Sequence, residues 1–130
     1  MNADIKKRWV DALRGDKYKQ TTQVLHKALR NSTEGTYTDS FCCLGVLCDL
    51  HIKHAAEPHE GWSEDDSKTV CEFVYLDEST FLPEIVRQWS GMEDCSGDEV
   101  TIDDKRETLA SHNDNGCTFA EIADAIESQL

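Results

Sequence analysis

Long apolar runs are missing from this chain. The densest is the ten-residue block Phe41 to Leu50, FCCLGVLCDL, which stays uncharged until Asp49. A membrane-crossing helix needs about 20 apolar residues, so the block reads as a core element. An apolar N-terminal run is missing too. Asp4, Lys6, Lys7 and Arg8 put charge into the first ten residues, which argues against a signal peptide or membrane anchor. The expectation is a cytoplasmic protein whose six cysteines are reduced thiols rather than three disulfides. No CxxC pair occurs among them, which removes the commonest zinc arrangement. Proline is scarce, at two, and no repeat, low-complexity tract or linker interrupts the chain. Its 130 residues fit a single domain, 1–130, that buries roughly two thirds of its unfolded surface.

Positive charge is the other shortage. There are 13 Lys and Arg against 26 Asp and Glu, for a net charge of −13. Residues 1–30 carry +5, and the rest carry −18. A strongly negative chain repels phosphate, which disfavours general nucleic-acid binding. The basic N-terminal stretch could still hold a small phosphorylated ligand. The acidic remainder could meet a basic protein surface. Solubility alone would explain the same charge.

The cysteine block has helical spacing. Cys43, Leu44, Leu47, Leu50 and His51 fall on one face, and Val46 widens it. Gly45 costs about 1 kcal/mol relative to Ala in a helix, and a small residue there permits close packing. Asp39 or Ser40 is placed to cap this helix. Cys42 and Cys43 would then occupy its first turn, where the dipole favours a thiolate. Plain burial is the competing reading, since free cysteine packs as a small hydrophobe.

Along the rest of the chain, Ile5, Trp9 and Leu13 predict a helix over 3–14, capped by Asn2 and stopped at Gly15. Residues 16–22 read as a loop. Residues 23–30 fit either a short helix or a strand. The turn-like NSTEGT at 31–36 tips the reading to a hairpin whose return strand is 37–41. Residues 55–68 form a polar loop around an exposed Trp62. VCEFVYL, 70–76, is apolar on both faces and suits a central strand. Leu82, Ile85, Val86 and Trp89 form one face of a short helix over 82–89, with Ser79 or Thr80 as cap and Gly91 as stop. An acidic loop follows at 93–99. Val100–Ile102 is a short strand, with a turn at 103–106 and a partner near 108–111. Thr118 and Glu121 make a capping box for a final helix over 118–129. The composite is α+β, with three to four helices on a small, mostly antiparallel sheet.

WVDALRGDKYKQ (Trp9 to Gln20), FCCLGVLCDL, FLPEIVRQWSG (Phe81 to Gly91) and NDNGCTFAEIADAIE (Asn113 to Glu127) resemble blocks of a family of small, largely uncharacterised proteins from tailed bacteriophages and prophages. The resemblance implies a setting, the bacterial host cytoplasm, where many such accessory proteins bind and disable host machinery. It carries over no catalytic residue, and the acidic stretches at 55–68 and 93–99 look particular to this chain.

Four chemistries remain to be weighed. Binding leads. In one form an acidic inhibitor covers a basic surface of a host or defence protein, with Trp62, Glu64, Asp65 and Asp66 as contacts. In the other, a sequestering protein holds a phosphorylated ligand such as a nucleotide signal. There Arg8, Lys17, Lys19 and Arg30 would grip phosphate, and Trp9 or Tyr18 would stack on a base. A thiol hydrolase or transferase would use Cys42 or Cys43 with His112 as base and Asp114 to orient it. Another fragment, DCSG at Asp94–Gly97, superficially resembles cell-wall cysteine peptidases, but there the Cys opens a helix, whereas here it lies in an acidic loop that raises a thiol pKa. No cofactor is implied and no metal is expected. If one bound, Cys43, Cys48 and His51 would hold it, with Cys42, His54 and His59 nearby in sequence. The acid pairs Asp65/Asp66 and Asp103/Asp104 read as solvated faces.

Overall fold

The computed structural model describes residues 1–30, 37–55, 61–64 and 71–130. The elements in chain order are α1 (Ala3–Arg14), β1 (Lys19–Gln20), β2 (His26–Arg30), β3 (Tyr37–Phe41), α2 (Cys43–His54), β4 (Ser63–Glu64), β5 (Cys71–Val74), α3 (Glu84–Ser90), β6 (Glu99–Ile102), β7 (Lys105–Thr108), α4 (Leu109–Asp114) and α5 (Phe119–Gln129). One sheet has the order β1-β3-β2-β5-β4, and β6-β7 form a separate ribbon. Among the described residues only the β1–β3 pair is parallel, and the other pairs are antiparallel. The α+β class and mostly antiparallel sheet agree with the sequence reading, with five helices among the described residues where three to four were expected.

The cysteine block forms α2, and the rest packs around it. Every residue from Cys43 to Cys48 is buried, and Leu50 and His51 follow. Each fully buried Leu or Val contributes about 1.5–3 kcal/mol through the water it sheds. Gly45 explains the close approach: a Cβ there would lie 1.8 Å from the Leu25 carbonyl oxygen. That same carbonyl accepts from the Cys42 N–H at 3.2 Å. The chain entering β2 therefore crosses directly over the start of α2. On the other side, α1 packs against α5, and the buried Trp9 donates its Nε1–H to the Cys43 carbonyl at 2.9 Å. Asn113 joins three elements. Its Oδ1 accepts from Cys43 N–H and Gln20 Nε2, and its Nδ2 donates to the Thr21 carbonyl.

Several boundaries differ from expectation. Asp39 and Ser40 lie in β3 and do not cap α2. Cys42 does so, its Sγ accepting from Gly45 N–H at 3.4 Å. β2 and β3 settle the ambiguity at 23–41 as strands in register, while the turn at 31–36 lies outside the described residues. The expected loop at 16–22 contains β1, which lengthens the sheet. β5 is an interior strand, as its two apolar faces suggested. Pro83, not Ser79 or Thr80, occupies the N-cap position of α3. The turn after β6 is only Asp103–Asp104, both at positive φ (52° and 65°), the two-residue geometry that matches strand twist. β7 therefore ends at Thr108, and the expected partner strand at 108–111 is instead the start of α4, capped by Thr108. The capping box on α5 forms as read.

Candidate functional site

The expected phosphate-binding residues are not brought together. Trp9 is fully buried and its indole N–H is committed, so it cannot stack on a ligand. Arg8 is exposed on α1 and Lys19 on β1, and the Arg30 side chain lies outside the described part. Lys17 and Tyr18 do line one groove of about 330 Å³, with Asp11, Asp16, Lys53 and His54. Its walls are the C-terminal ends of α1 and α2. Helix C-termini present carbonyl oxygens and partial negative charge, which repel a phosphate. Two carboxylates in the wall add to that repulsion.

Lys53 is occupied as well. Its Nζ lies 2.9 Å from Asp49 Oδ2 and donates to Tyr18 Oη at 3.2 Å. Asp49 is the centre of a half-buried polar cluster. Tyr18 donates to its Oδ2 at 2.5 Å, and Trp62 Nε1 donates to its Oδ1 at 3.1 Å. Burial works to raise the Asp49 pKa, but the donors Tyr18, Lys53 and Trp62 outweigh it and hold the carboxyl below its ordinary value. Trp62 is thus half-buried and anchored, not the exposed contact that the sequence suggested. It packs edge-on against His26 and tilted against Tyr75. Glu64 is exposed on the edge strand β4, and Asp65 and Asp66 lie outside the described residues.

Register builds the neighbouring aromatic stack. His26 faces Phe41 on one side and Phe73 on the other, so the imidazole is sandwiched at 4.2 Å from each ring. His26 Nε2 meets Asp39 Oδ1 at 3.0 Å, while Nδ1 is buried without a hydrogen-bond partner. Burial lowers its pKa, with Asp39 and Asp49 pulling the other way. The sequence reading missed both His26 and Asp49. A lone charge inside the apolar block was the only signal for Asp49.

The thiol constellation is not assembled. Cys42, Cys43 and Cys48 are buried. Burial pushes the Cys42 thiol up to about 11 and the other two well above the ordinary range, overriding any helix dipole. Cys43 Sγ faces the Leu109 carbonyl. His112 faces elsewhere: Nε2 donates to the Val100 carbonyl at 2.8 Å, and Nδ1 lies 3.9 Å from Cys117 Sγ. Asp114 accepts from the Gln23 N–H. The Cys117–His112 contact was not foreseen. Burial raises the Cys117 thiol too, with the acids Glu121, Asp103 and Glu107 adding to it, so this pair lacks an activated thiolate. Of the expected metal ligands, His51 Nδ1 is hydrogen-bonded to Tyr75 Oη at 2.7 Å. Among the described residues, no group of three or more His, Cys, Asp or Glu is arranged to hold a metal ion.

What the interior does not use is displayed outside. The exposed large apolar side chains among the described residues are Leu76, Phe81 and Ile85. The expected buried face of α3 is thus split. Leu82 and Val86 are buried, Ile85 is half exposed, and Trp89 packs edge-on against His51.

A family model for a domain of unknown function, DUF8296, matches residues 1–130. The chain belongs to that family. No curated protein and no solved structure matches it. No helix among the described residues is long and apolar enough to cross a membrane. Many of its cations are cancelled locally. Arg14 pairs with Asp124 and Glu127, Arg87 with Glu84, Arg106 with Glu99, and Lys7 with Asp11. Carboxylates outnumber cations two to one in the chain, and Glu93, Asp94, Asp103 and Asp104 are among those exposed at the surface.

Proposed function

We propose that this protein acts by binding, as an acidic protein that covers a basic surface on another protein. In the setting suggested by the bacteriophage resemblance, the partner is a host or defence component in the bacterial cytoplasm. The observation that carries the reading is the charge of the surface. The chain carries a net charge of −13, and Arg14, Lys53 and Arg87 are held by carboxylates of their own neighbours. Such a field accelerates encounter with a basic partner and selects against acidic ones. The reading as a phosphate-sequestering protein is weaker, because the one groove that holds Lys17 and Tyr18 is walled by helix C-termini and by Asp11 and Asp16.

Affinity capture from bacterial lysate tests the proposal, using the wild type beside a variant with Glu93→Gln, Asp94→Asn and Glu99→Gln. A basic protein retained by the wild type, released by high salt and lost from the variant supports it. Equal retention by both baits, or elution of a phosphorylated small molecule, contradicts it.

A further inference from the structure

We propose that Leu76–Ile85 is the apolar centre of a docking surface for a protein that presents an apolar cleft ringed by lysine and arginine. This rests on the acidic-binding reading above and assigns it a contact point. Leu76, Phe81 and Ile85 are 39%, 47% and 50% exposed, and they fall within ten consecutive residues.

These side chains are held out by a firm frame. Tyr75 and Glu78 exchange both backbone hydrogen bonds, at 2.9 and 3.0 Å. The Ser79 carbonyl accepts from Leu25 N–H, and Leu82 N–H donates to the Cys95 carbonyl, each at 2.8 Å. Tyr75, Leu82 and Val86 are buried beneath. Leu76 stands at the tip of a two-residue turn with φ +51°, followed by Asp77 at +68°. That turn favours Asn and Gly, so leucine there is set against local preference. Rigid, pre-placed apolar side chains lose little entropy on binding, the property of interface anchors.

Charge complementarity names the occupant. Asp77 and Glu78 lie within the stretch, and the Leu82–Cys95 hydrogen bond brings Asp94 beside it. The cation nearest in sequence, Arg87, is taken by Glu84 and the Met92 carbonyl. An apolar centre with an acidic rim fits a basic rim. A second copy would set acid against acid.

The test is a titration of the full chain with two helical peptides of equal length and charge. One carries leucines on one face among lysines, and the other has those leucines replaced by glutamine. The leucine–lysine peptide is expected to bind the wild type at least about tenfold more tightly. Phe81→Ser with Ile85→Ser should erase that preference while leaving the melting temperature unchanged. Leu76→Asn, which suits the turn better, should reduce the preference without any risk of unfolding. If the preference survives these substitutions, the docking assignment is overturned while the acidic reading stands. If neither peptide binds the wild type, the acidic reading falls as well. A dimer in sedimentation that Phe81→Ser with Ile85→Ser dissolves would assign the surface to a second copy and overturn the proposal.

Discussion

The segments Cys42–His51 and Leu76–Ile85 are both rich in apolar residues, yet their fates are opposite. In the first, every residue but Asp49 is buried, and the backbone entering β2 touches the helix at Gly45. In the second, buried and exposed apolar residues sit side by side on a hydrogen-bonded frame. Apolar character alone did not separate them. What separates them is the steric demand of the neighbours. α2 packs against α1, α3, α4 and β3 and buries Cys43 through Cys48, whereas α3 is seven residues long and buries Val86 and Ser90.

The sharpest way to break the comparison is Gly45→Ala. Its Cβ would overlap backbone, which cannot yield as a flexible side chain does, so the variant should lose at least about 3 kcal/mol or fail to fold. Urea denaturation measures it. A loss under 1 kcal/mol would mean that α2 and the chain entering β2 are less tightly apposed than described.

Thiol chemistry separates the buried helix from the surface next. Exposed Cys95 should react with a disulfide reagent in the folded protein, while Cys42, Cys43 and Cys48 react only on unfolding. Because burial raises those thiol pKa values, the folded state holds their protons more tightly. Their contribution to stability is full below about pH 9 and is lost as pH rises toward about 11, the value reached by Cys42. Alkaline unfolding that begins well below pH 9 would contradict it.

His26 supplies a smaller effect of the other sign. Its pKa is lowered, so the folded state takes up its proton less readily, and stability falls as pH drops below about 6.5. His26→Phe should flatten that slope and, by removing a buried acceptor without a partner, keep or raise stability by about 1 kcal/mol. A steeper slope in the variant would show that the imidazole is needed as a base there. Smallest of all, Leu76→Asn should raise stability by about 0.5–1 kcal/mol by relieving the positive φ, seen as a small rise in Tm.

Much of the frame was legible because it depends on local rules. Asn2, Thr118 and Glu121 cap helices as their positions imply, and Gly45 marks the close approach that its lack of a side chain allows. The candidate sites were far less legible, because they depend on long-range contacts. Lys17, Lys19, Arg8 and Trp9 look like a patch along the chain, but the helix sends Trp9 into the core, and Lys17 lines a groove with Tyr18 that does not include Arg8 or Lys19. The sequence reading pairs His112 with Cys42 or Cys43. Asn113, next to it, is what reaches the Cys43 N–H, while the imidazole turns to Val100 and Cys117. Ile85 fits the helical stripe with Leu82 and Val86, yet it is half exposed where they are buried.

The central claim is that this chain works by meeting another protein and does not hold a small phosphorylated molecule. Native against denatured mass of the protein purified from bacterial cells tests that most directly. The account predicts the mass of the bare chain, or of the chain with a basic protein in simple stoichiometry. An added mass matching a nucleotide or other phosphorylated ligand, lost on denaturation, would contradict it and return the site to the groove beside Tyr18.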